Sequence, residues 1–307
     1  MDMGEITNQM VVLLILMVIG YGAAKAGILN KSANEMLTKI VVYIALPALI
    51  LSAMTGIGDV SLHEAGSIIL ASSIFYIVSI LVALLITKTL RVKREDKSAY
   101  RFIMSFGNVA FMGYPVISAV FGPEAMFYCA LYNVPFNVFV YSVGTMMLIK
   151  GAGGGKLDIK KIVNPPLVTA LVGLLLFLMN IELPAVIADC AETLGDATTP
   201  MAMLILGSAL AQVPIRELFT EWRIYVVSLY KLIAMPVLTW LVASLFLTPD
   251  SMVLKTAVLL AAMPIATNAT MMTIQFGGNQ TIAAKGVFFT TVLCVVTIPL
   301  TVYFFFS

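Results

Sequence analysis

Long apolar runs alternate with short polar segments along the whole chain of 307 residues. A run of about 20 apolar residues is long enough for a helix to cross the hydrocarbon core of a bilayer. The pattern therefore predicts an all-α polytopic membrane protein with ten membrane-spanning helices joined by short loops. The predicted spans 1 to 10 cover residues 6–25, 33–55, 65–88, 100–120, 124–148, 164–181, 185–212, 222–247, 251–275 and 281–305.

The charges of the polar segments alternate from one loop to the next. Basic residues follow spans 1, 3, 5 and 7, with the densest cluster between Lys88 and Arg101. Acidic residues such as Asp59, Glu124 and Asp250 occupy the other loops. Because cytoplasmic loops carry an excess of lysine and arginine, we expect the basic loops in the cytoplasm and both termini on the extracytoplasmic side.

Composition supports the membrane assignment and argues against several other classes of function. Hydrophobic residues make up 61% of the chain and charged residues only 11%, whereas soluble domains carry about 25% charged residues. A net charge of +2 gives no basis for nucleic-acid binding. The three cysteines lie in or beside apolar segments and His63 is the only histidine, so we expect neither a metal site nor a disulfide. No motif of a membrane-embedded enzyme is present, so neither catalysis nor a cofactor is expected.

The chain divides near its middle into two halves with weak similarity to each other. The segment Lys150–Lys156 is rich in glycine, and residues 149–163 are predicted to form a cytoplasmic linker. Short matches between the halves share an offset of about 153 to 155 residues, as between Leu46-Pro47 and Thr199-Pro200. Because each half has five spans, an odd number, the second half must enter the membrane from the opposite side. Residues 1–148 and 164–307 are therefore predicted to be two inverted repeats.

Two polar interruptions occur at corresponding places in these halves, one in span 4 and one in span 9. Gly107 to Pro115 and Met263 to Asn268 place proline, glycine or asparagine in the middle of an apolar run. Proline removes an intrahelical hydrogen bond, and unpaired backbone is tolerated at membrane depth only where protein or a water-filled cavity covers it. Broken helices at matching positions indicate the binding site of a secondary transporter. The predicted substrate-binding residues in these segments are Asn108, Gly113, Tyr114, Pro115, Pro264, Thr267 and Asn268.

The second half of each broken helix would begin near the membrane midplane with free N–H groups and a partial positive charge. Such helix termini suit an anion, typically a carboxylate, and Asn108 and Asn268 would add amide donors and acceptors. The alternative is that Pro115 and Pro264 only kink packed helices. No acidic pair lies in either interruption, and coupling to a proton or a sodium ion stays open.

Three further polar residues lie inside apolar spans. Asn133 and Asn137 in span 5 are four residues apart and therefore share a helix face, which is compatible with substrate contact or with packing between helices. Lys231 in span 8 lies about 12 Å into the apolar zone beyond Arg223. A lysine at that depth is costly and is a functional candidate by default, with a structural charge as the alternative. We include all three among the candidate substrate-binding residues.

Four segments carry a resemblance to a known family: Gly107-Asn108-x-x-Phe111-x-Gly113-x-Pro115 in span 4, Leu46-Pro47 in span 2, Pro200 to Gly207 in span 7 and Pro264 to Asn268 in span 9. These motifs resemble those of the auxin efflux carrier family, which includes plant auxin carriers and bacterial permeases for malate and malonate. The likeness covers nearly the whole chain, and the short loop after span 5 is similar to that of bacterial members.

The resemblance implies a fold similar to that of sodium/proton antiporters and bile-acid symporters, in which helices 4 and 9 cross. It implies a core domain of helices 3–5 and 8–10 that moves, in an elevator-type movement, against a scaffold of helices 1, 2, 6 and 7. It also implies a homodimer formed through the scaffold helices in the lipid of the inner (plasma) membrane.

These features together predict a secondary active transporter of a small organic anion, a carboxylate, by alternating access. A channel is one alternative, and it would show a continuous polar stripe on several helices, whereas the polar residues here cluster at two interruptions. A membrane sensor derived from a transporter is the other alternative.

Overall fold

The computed structural model describes residues 3–55, 61–151, 165–179, 181–211, 221–276 and 278–306, and these residues are almost entirely helical. Residues 152–163 of the predicted linker lie outside the described residues. The α-helices are α1 (Met3–Lys25), α2 (Lys31–Ile40), α3 (Leu46–Thr55), α4 (Leu62–Thr89), α5 (Lys97–Ser105), α6 (Gly113–Phe121), α7 (Met126–Phe139), α8 (Thr145–Gly151), α9 (Pro165–Leu178), α10 (Ala185–Asp196), α11 (Thr198–Ala211), α12 (Trp222–Leu229), α13 (Met235–Ala243), α14 (Met252–Ala261), α15 (Ala269–Phe276) and α16 (Gln280–Phe306).

Three short π-helical turns join consecutive helices without a change of chain direction. They connect α2 to α3, α7 to α8 and α12 to α13, at Val41–Ala45, Val140–Gly144 and Tyr230–Ala234. Each pair therefore forms one long span with a local widening. Such widenings occur frequently at functional sites.

Several of these helices are long and apolar enough to cross a bilayer. Large apolar side chains on their surfaces contact little else in the chain, as with Leu85 (65% exposed) and Phe304 (73% exposed). Exposed apolar surface of this extent fits lipid rather than water. A helical, multi-pass membrane protein is thus confirmed, whereas the count of ten spans and their inverted arrangement stay predictions. Five candidate spans occur in the described residues, at Lys31–Met54, Leu62–Thr89, Pro123–Gly151, Trp222–Ala243 and Gln280–Phe306.

Both predicted interruptions are present. Residues 106–112 separate α5 from α6 in span 4, and residues 262–268 separate α14 from α15 in span 9. The first interruption is shorter than predicted, because the helix resumes at Gly113 and the triplet Gly113, Tyr114 and Pro115 forms the first turn of α6. Proline is accommodated there because the first N–H groups of a helix have no intrahelical partner.

The chain forms two compact units. Unit 1 comprises Met1–Ile68, Ala110–Val134 and Val163–Gln212, and unit 2 comprises Ile69–Val109, Pro135–Ile162 and Val213–Ser307. Spans 1, 2, 6 and 7 fall in unit 1 and spans 8 to 10 fall in unit 2, while spans 3 to 5 contribute to both. The division into a moving core and a fixed scaffold stays a prediction.

Within unit 1, α1 packs against α11 with the two backbones close together. A side chain at Gly207 would collide with the carbonyl of Met17, and one at Gly20 would collide with the backbone of Leu204. Small residues at such contacts allow membrane helices to approach closely. Glycine at these two positions is therefore required by the packing.

Within unit 2, an aromatic cluster packs beside the first interruption. The ring of Tyr76 stacks on Phe106, with 6.0 Å between centroids, and lies 5.8 Å from the rings of Phe136 and Phe139. Phe102 lies 5.0 Å from Phe106. Because Phe106 is the first residue of the interruption, burial of its ring fixes the end of α5 to the core of the unit.

Candidate functional site

Residues 106–109 of the first interruption lie in unit 2 beside the second interruption, and the two segments pair through their backbones. Gly107 and Ile265 form an isolated antiparallel β-bridge. Some of the backbone groups freed by the breaks in the helices thus find partners in the other interruption, as membrane depth requires. Two hydrogen bonds flank the bridge, from Asn108 N–H to the Pro264 carbonyl (2.7 Å) and from Ala266 N–H to the Phe106 carbonyl (3.2 Å).

A threonine of α16 supports the second interruption from another side. The N–H of Ile265 donates to Thr290 Oγ1 at 3.0 Å, and the Thr290 hydroxyl donates to the Gly286 carbonyl at 2.7 Å. The neighbouring Pro264 has no N–H to satisfy. The non-helical backbone of this segment is therefore held by contacts to both α16 and the first interruption.

Two of the predicted amides carry hydrogen-bonding atoms that the described residues do not use. Asn108 is 3% exposed, and its Nδ2 is buried without a hydrogen-bond partner in the described part of the chain. Asn268 is half-buried as a residue, and its Oδ1 is buried without a hydrogen-bond partner among the described residues. Leaving a buried polar group unsatisfied costs about 1–3 kcal/mol. A small polar ligand that bonds to this donor and this acceptor would remove that cost.

Lys231 reaches the first interruption from the π-helical turn between α12 and α13. Its side chain is fully buried (0% exposed), and its Nζ lies 5.5 Å from the centre of the Phe75 ring. A β-carbon built on Gly107 would lie 3.2 Å from both Cε and Nζ of Lys231. The ammonium therefore points into unit 2, toward the paired backbones, instead of extending toward the membrane surface.

The Lys231 ammonium has no protein counter-charge among the described residues. Its Nζ makes no hydrogen bond there, and no described carboxylate lies within the 4.0 Å of an ion pair. A buried charge without a partner is expensive. The ion pairs of the described chain lie elsewhere, between Arg223 and Glu221 and between Lys255 and Asp250.

Six of the predicted site residues lie in unit 2, and five of them lie in or beside the paired interruptions. Pro264 is buried and Thr267 is half-buried within the second interruption, which also contains Asn268. The sixth, Asn137, is buried at 9% exposure. The candidate site at the interruptions therefore comprises Asn108, Lys231, Pro264, Thr267 and Asn268.

The other predicted site residues belong to unit 1. Tyr114 is 1% exposed, and its hydroxyl has no hydrogen-bond partner among the described residues; Gly113 and Pro115 flank it in the first turn of α6. Asn133 donates its Nδ2 to the carbonyl of Cys129 one turn earlier, at 2.9 Å. This bond within the helix uses the amide donor of Asn133 and favours the packing interpretation for that residue.

Three residues at the interruptions were not predicted as part of the site. Gly107 precedes Asn108 in the motif, but its contact with the lysine side chain has no signal in the sequence. Thr290 has a weak signal, because it and Thr291 are adjacent hydroxyl residues within an apolar span. Phe75 has none, since it is one aromatic residue among many apolar neighbours.

The arrangement suits the binding of a carboxylate. Lys231 Nζ and Asn108 Nδ2 are donors, and the ammonium would make a charge-assisted hydrogen bond with a carboxylate oxygen. Asn268 Oδ1 would accept from a hydroxyl or a protonated carboxyl group. The described residues contain no group of three or more His, Cys, Asp or Glu side chains placed to hold a metal ion.

Comparisons with known proteins relate the chain to membrane transporters. The chain is 28% identical over 305 residues to a protein of Rhizobium meliloti (strain 1021) named "Putative malonate transporter", covering 96% of this chain and 94% of that protein. It is 25% identical over 301 residues to an uncharacterized transporter of Methanothermobacter thermautotrophicus, with 96% of each chain covered. It is also 28% identical over 216 residues to an uncharacterized transporter of Methanocaldococcus jannaschii, covering 66% of this chain and 68% of that protein.

A family profile described as "Membrane transport protein" matches residues 5–158 and 154–302. The two matched ranges meet inside the predicted linker, and together they cover nearly the whole chain. The motifs around the interruptions predicted the same family from the sequence. The chain therefore belongs to the auxin efflux carrier family of membrane transport proteins.

Proposed function

We propose that this protein is a secondary active transporter that carries a small carboxylate across the inner membrane by alternating access. The observation that carries the proposal is a set of buried hydrogen-bonding atoms without partners in the described chain: Asn108 Nδ2, Asn268 Oδ1 and Lys231 Nζ. Each costs free energy while it lacks a partner. A bound carboxylate whose second polar group donates a hydrogen bond would satisfy all three.

The charge at the site supports an anion over a cation or a neutral solute. The fully buried Lys231 ammonium lacks a described counter-charge, so a ligand that brings one negative charge relieves the cost of burying it. The name of the Rhizobium relative adds support for a short dicarboxylate. Malate, which has a hydroxyl donor, and malonate with one carboxyl group protonated are therefore the first substrates to test.

An elevator-type movement of helices 3–5 and 8–10 against helices 1, 2, 6 and 7 completes the proposal, with two copies joined through the latter helices. The backbone pairing of the interruptions supports this movement, because paired segments within one compact unit would travel together with the ligand. The substrate would be released without separating the two segments. A proton or a sodium ion would supply the coupling, and membrane lipid would cover the apolar surface.

Uptake into proteoliposomes tests the proposal. Purified protein would be reconstituted with radiolabelled malonate or malate outside and with unlabelled substrate inside or absent. If the protein is a carrier, uptake should be saturable and should be accelerated by exchange with internal substrate. Liposomes without protein should take up nothing. A channel would instead give currents far above carrier turnover, and a sensor would bind the carboxylate without uptake. Folded protein that neither transports nor binds any small mono- or dicarboxylate would overturn the proposal.

A further inference from the structure

Gly107 occupies the point at which the Lys231 side chain meets the paired interruptions. We infer that Gly107 is a positioning residue whose missing side chain leaves the space for the Lys231 ammonium beside the break in the helix. The inference rests on the proposed function, in which that ammonium binds the substrate carboxylate. It adds a residue whose role is to set where the positive charge lies.

The backbone at Gly107 does not itself require glycine. Among the described residues, the glycines with positive φ are Gly27, Gly122 and Gly278, so the conformation at Gly107 is open to any L-residue. The pairing with the second interruption does not require glycine either, because a β-carbon on Gly107 would lie 3.4 Å from the Met263 carbonyl oxygen, an ordinary contact.

The position of the lysine side chain does depend on the missing β-carbon. That β-carbon would lie 3.2 Å from both Cε and Nζ of Lys231, which is tighter than nine in ten real contacts of a β-carbon. The Phe75 ring, 5.5 Å from Nζ, bounds the ammonium as well and attracts it through its π-electrons. Since the side chain is fully buried in a close-packed interior, a methyl group at position 107 displaces the ammonium within the protein by a few tenths of an ångström.

Gly107→Ala keeps the charge, the pairing and the backbone conformation and changes the location of Nζ. We expect it to raise the KM for the transported carboxylate by roughly tenfold, equivalent to the loss of one good polar contact, with a smaller change in maximal rate. A shifted ammonium would weaken binding of the carboxylate, whereas the movement of the carrier would be unaffected.

Gly286→Ala is the matched control. Its β-carbon would meet the terminal methyl groups of Ile265 at 2.9 Å and of Ile103 at 3.1 Å, so the substitution crowds the same interruption without touching the lysine. We expect Gly286→Ala to keep the wild-type KM. Equal effects of the two substitutions on KM, or a wild-type KM in Gly107→Ala, would overturn the inference.

A double-mutant cycle measured by thermal unfolding tests the contact without any substrate. Gly107→Ala should lower the Tm of the wild-type protein but not that of Lys231→Ala, in which the displaced atoms are absent. If Gly107→Ala alone does not fold, recovery of folded protein in the double variant would equally show that the added methyl group collides with the Lys231 side chain. Equal Tm losses in both backgrounds, or failure to fold in both, would contradict the inference. Because no carboxylate is needed, this cycle separates a failure of the inference from a failure of the proposed function.

Discussion

Replacing Lys231 with methionine should stabilise the protein and at the same time impair transport. Methionine keeps much of the side-chain volume and removes the buried charge. A buried ion without a partner costs several kcal/mol, and the Phe75 ring returns about 2 kcal/mol of that through the cation–π interaction. The net effect on the free energy of unfolding should therefore be a gain of about 1–2 kcal/mol.

The loss in ligand binding should be at least as large as this gain in stability. A charge-assisted hydrogen bond contributes about 1.5–3 kcal/mol, so Lys231→Met should weaken carboxylate binding by roughly 10- to 150-fold. Stability and binding would then change in opposite directions, which is typical of a residue retained for function. If the role of Lys231 were structural, its replacement would lower stability and ligand binding together.

Thermal unfolding followed by tryptophan fluorescence measures both quantities in one assay. The chain has two tryptophans, Trp222 and Trp240, and both lie in unit 2 with Lys231. We expect Lys231→Met to raise Tm by a few degrees and to lose the Tm increase that malonate or malate gives the wild-type protein. The matched control is Lys255→Met, which removes a loose ion pair to Asp250 (3.9 Å) near the surface, a contact of little expected weight. A Lys231→Met protein with a lowered Tm and a full ligand-induced increase would refute the reasoning.

Three further predictions concern the amides, the support of the second interruption and the packing of unit 1. Asn108→Ala removes a donor without a described partner, so uptake assays should show a roughly tenfold to hundredfold loss in affinity with Tm unchanged or raised; unchanged uptake would make this amide structural. Thr290→Val leaves the buried N–H of Ile265 unsatisfied and should lower the free energy of unfolding by about 1–3 kcal/mol. Thr291→Val should be neutral, because the Thr291 hydroxyl has no described partner; equal Tm values for the two variants would count against the backbone contact. Gly207→Ala should give no peak of folded protein in size-exclusion chromatography. Gly22→Ala, whose β-carbon would have no atom nearby, should elute like wild type; a normal profile for both variants would mean that α1 and α11 tolerate separation.

The interruptions were predictable because their cause is local. Proline, glycine and asparagine disfavour helix wherever they lie inside an apolar run, so the sequence alone marks where the backbone opens. The first interruption was predicted too long because Pro115 looks the same whether it lies in a break or in the first turn of a helix. Only the tertiary structure decides that α6 begins at Gly113.

The position of the Lys231 ammonium could not be predicted, because it depends on contacts between residues far apart in the chain. The depth of Lys231 in span 8 marked it as a candidate, but the direction of its side chain depends on the space at Gly107 and on the ring of Phe75. Thr290 likewise meets its backbone partner 25 residues away. Each residue is unremarkable within its own helix.

The pairing of the two interruptions has a consequence for biosynthesis. The carbonyl of Phe106 and the N–H of Asn108 bond to Ala266 and Pro264, which the ribosome adds more than a hundred residues later. At about 5–20 residues per second the first segment waits roughly 8–30 s for its partner. During that interval its open backbone groups cannot face the acyl chains of lipid, since each would cost several kcal/mol there. We therefore expect the nascent first half to stay at the insertion machinery or near the headgroups until the second half emerges, and a chain truncated after the first half to be degraded.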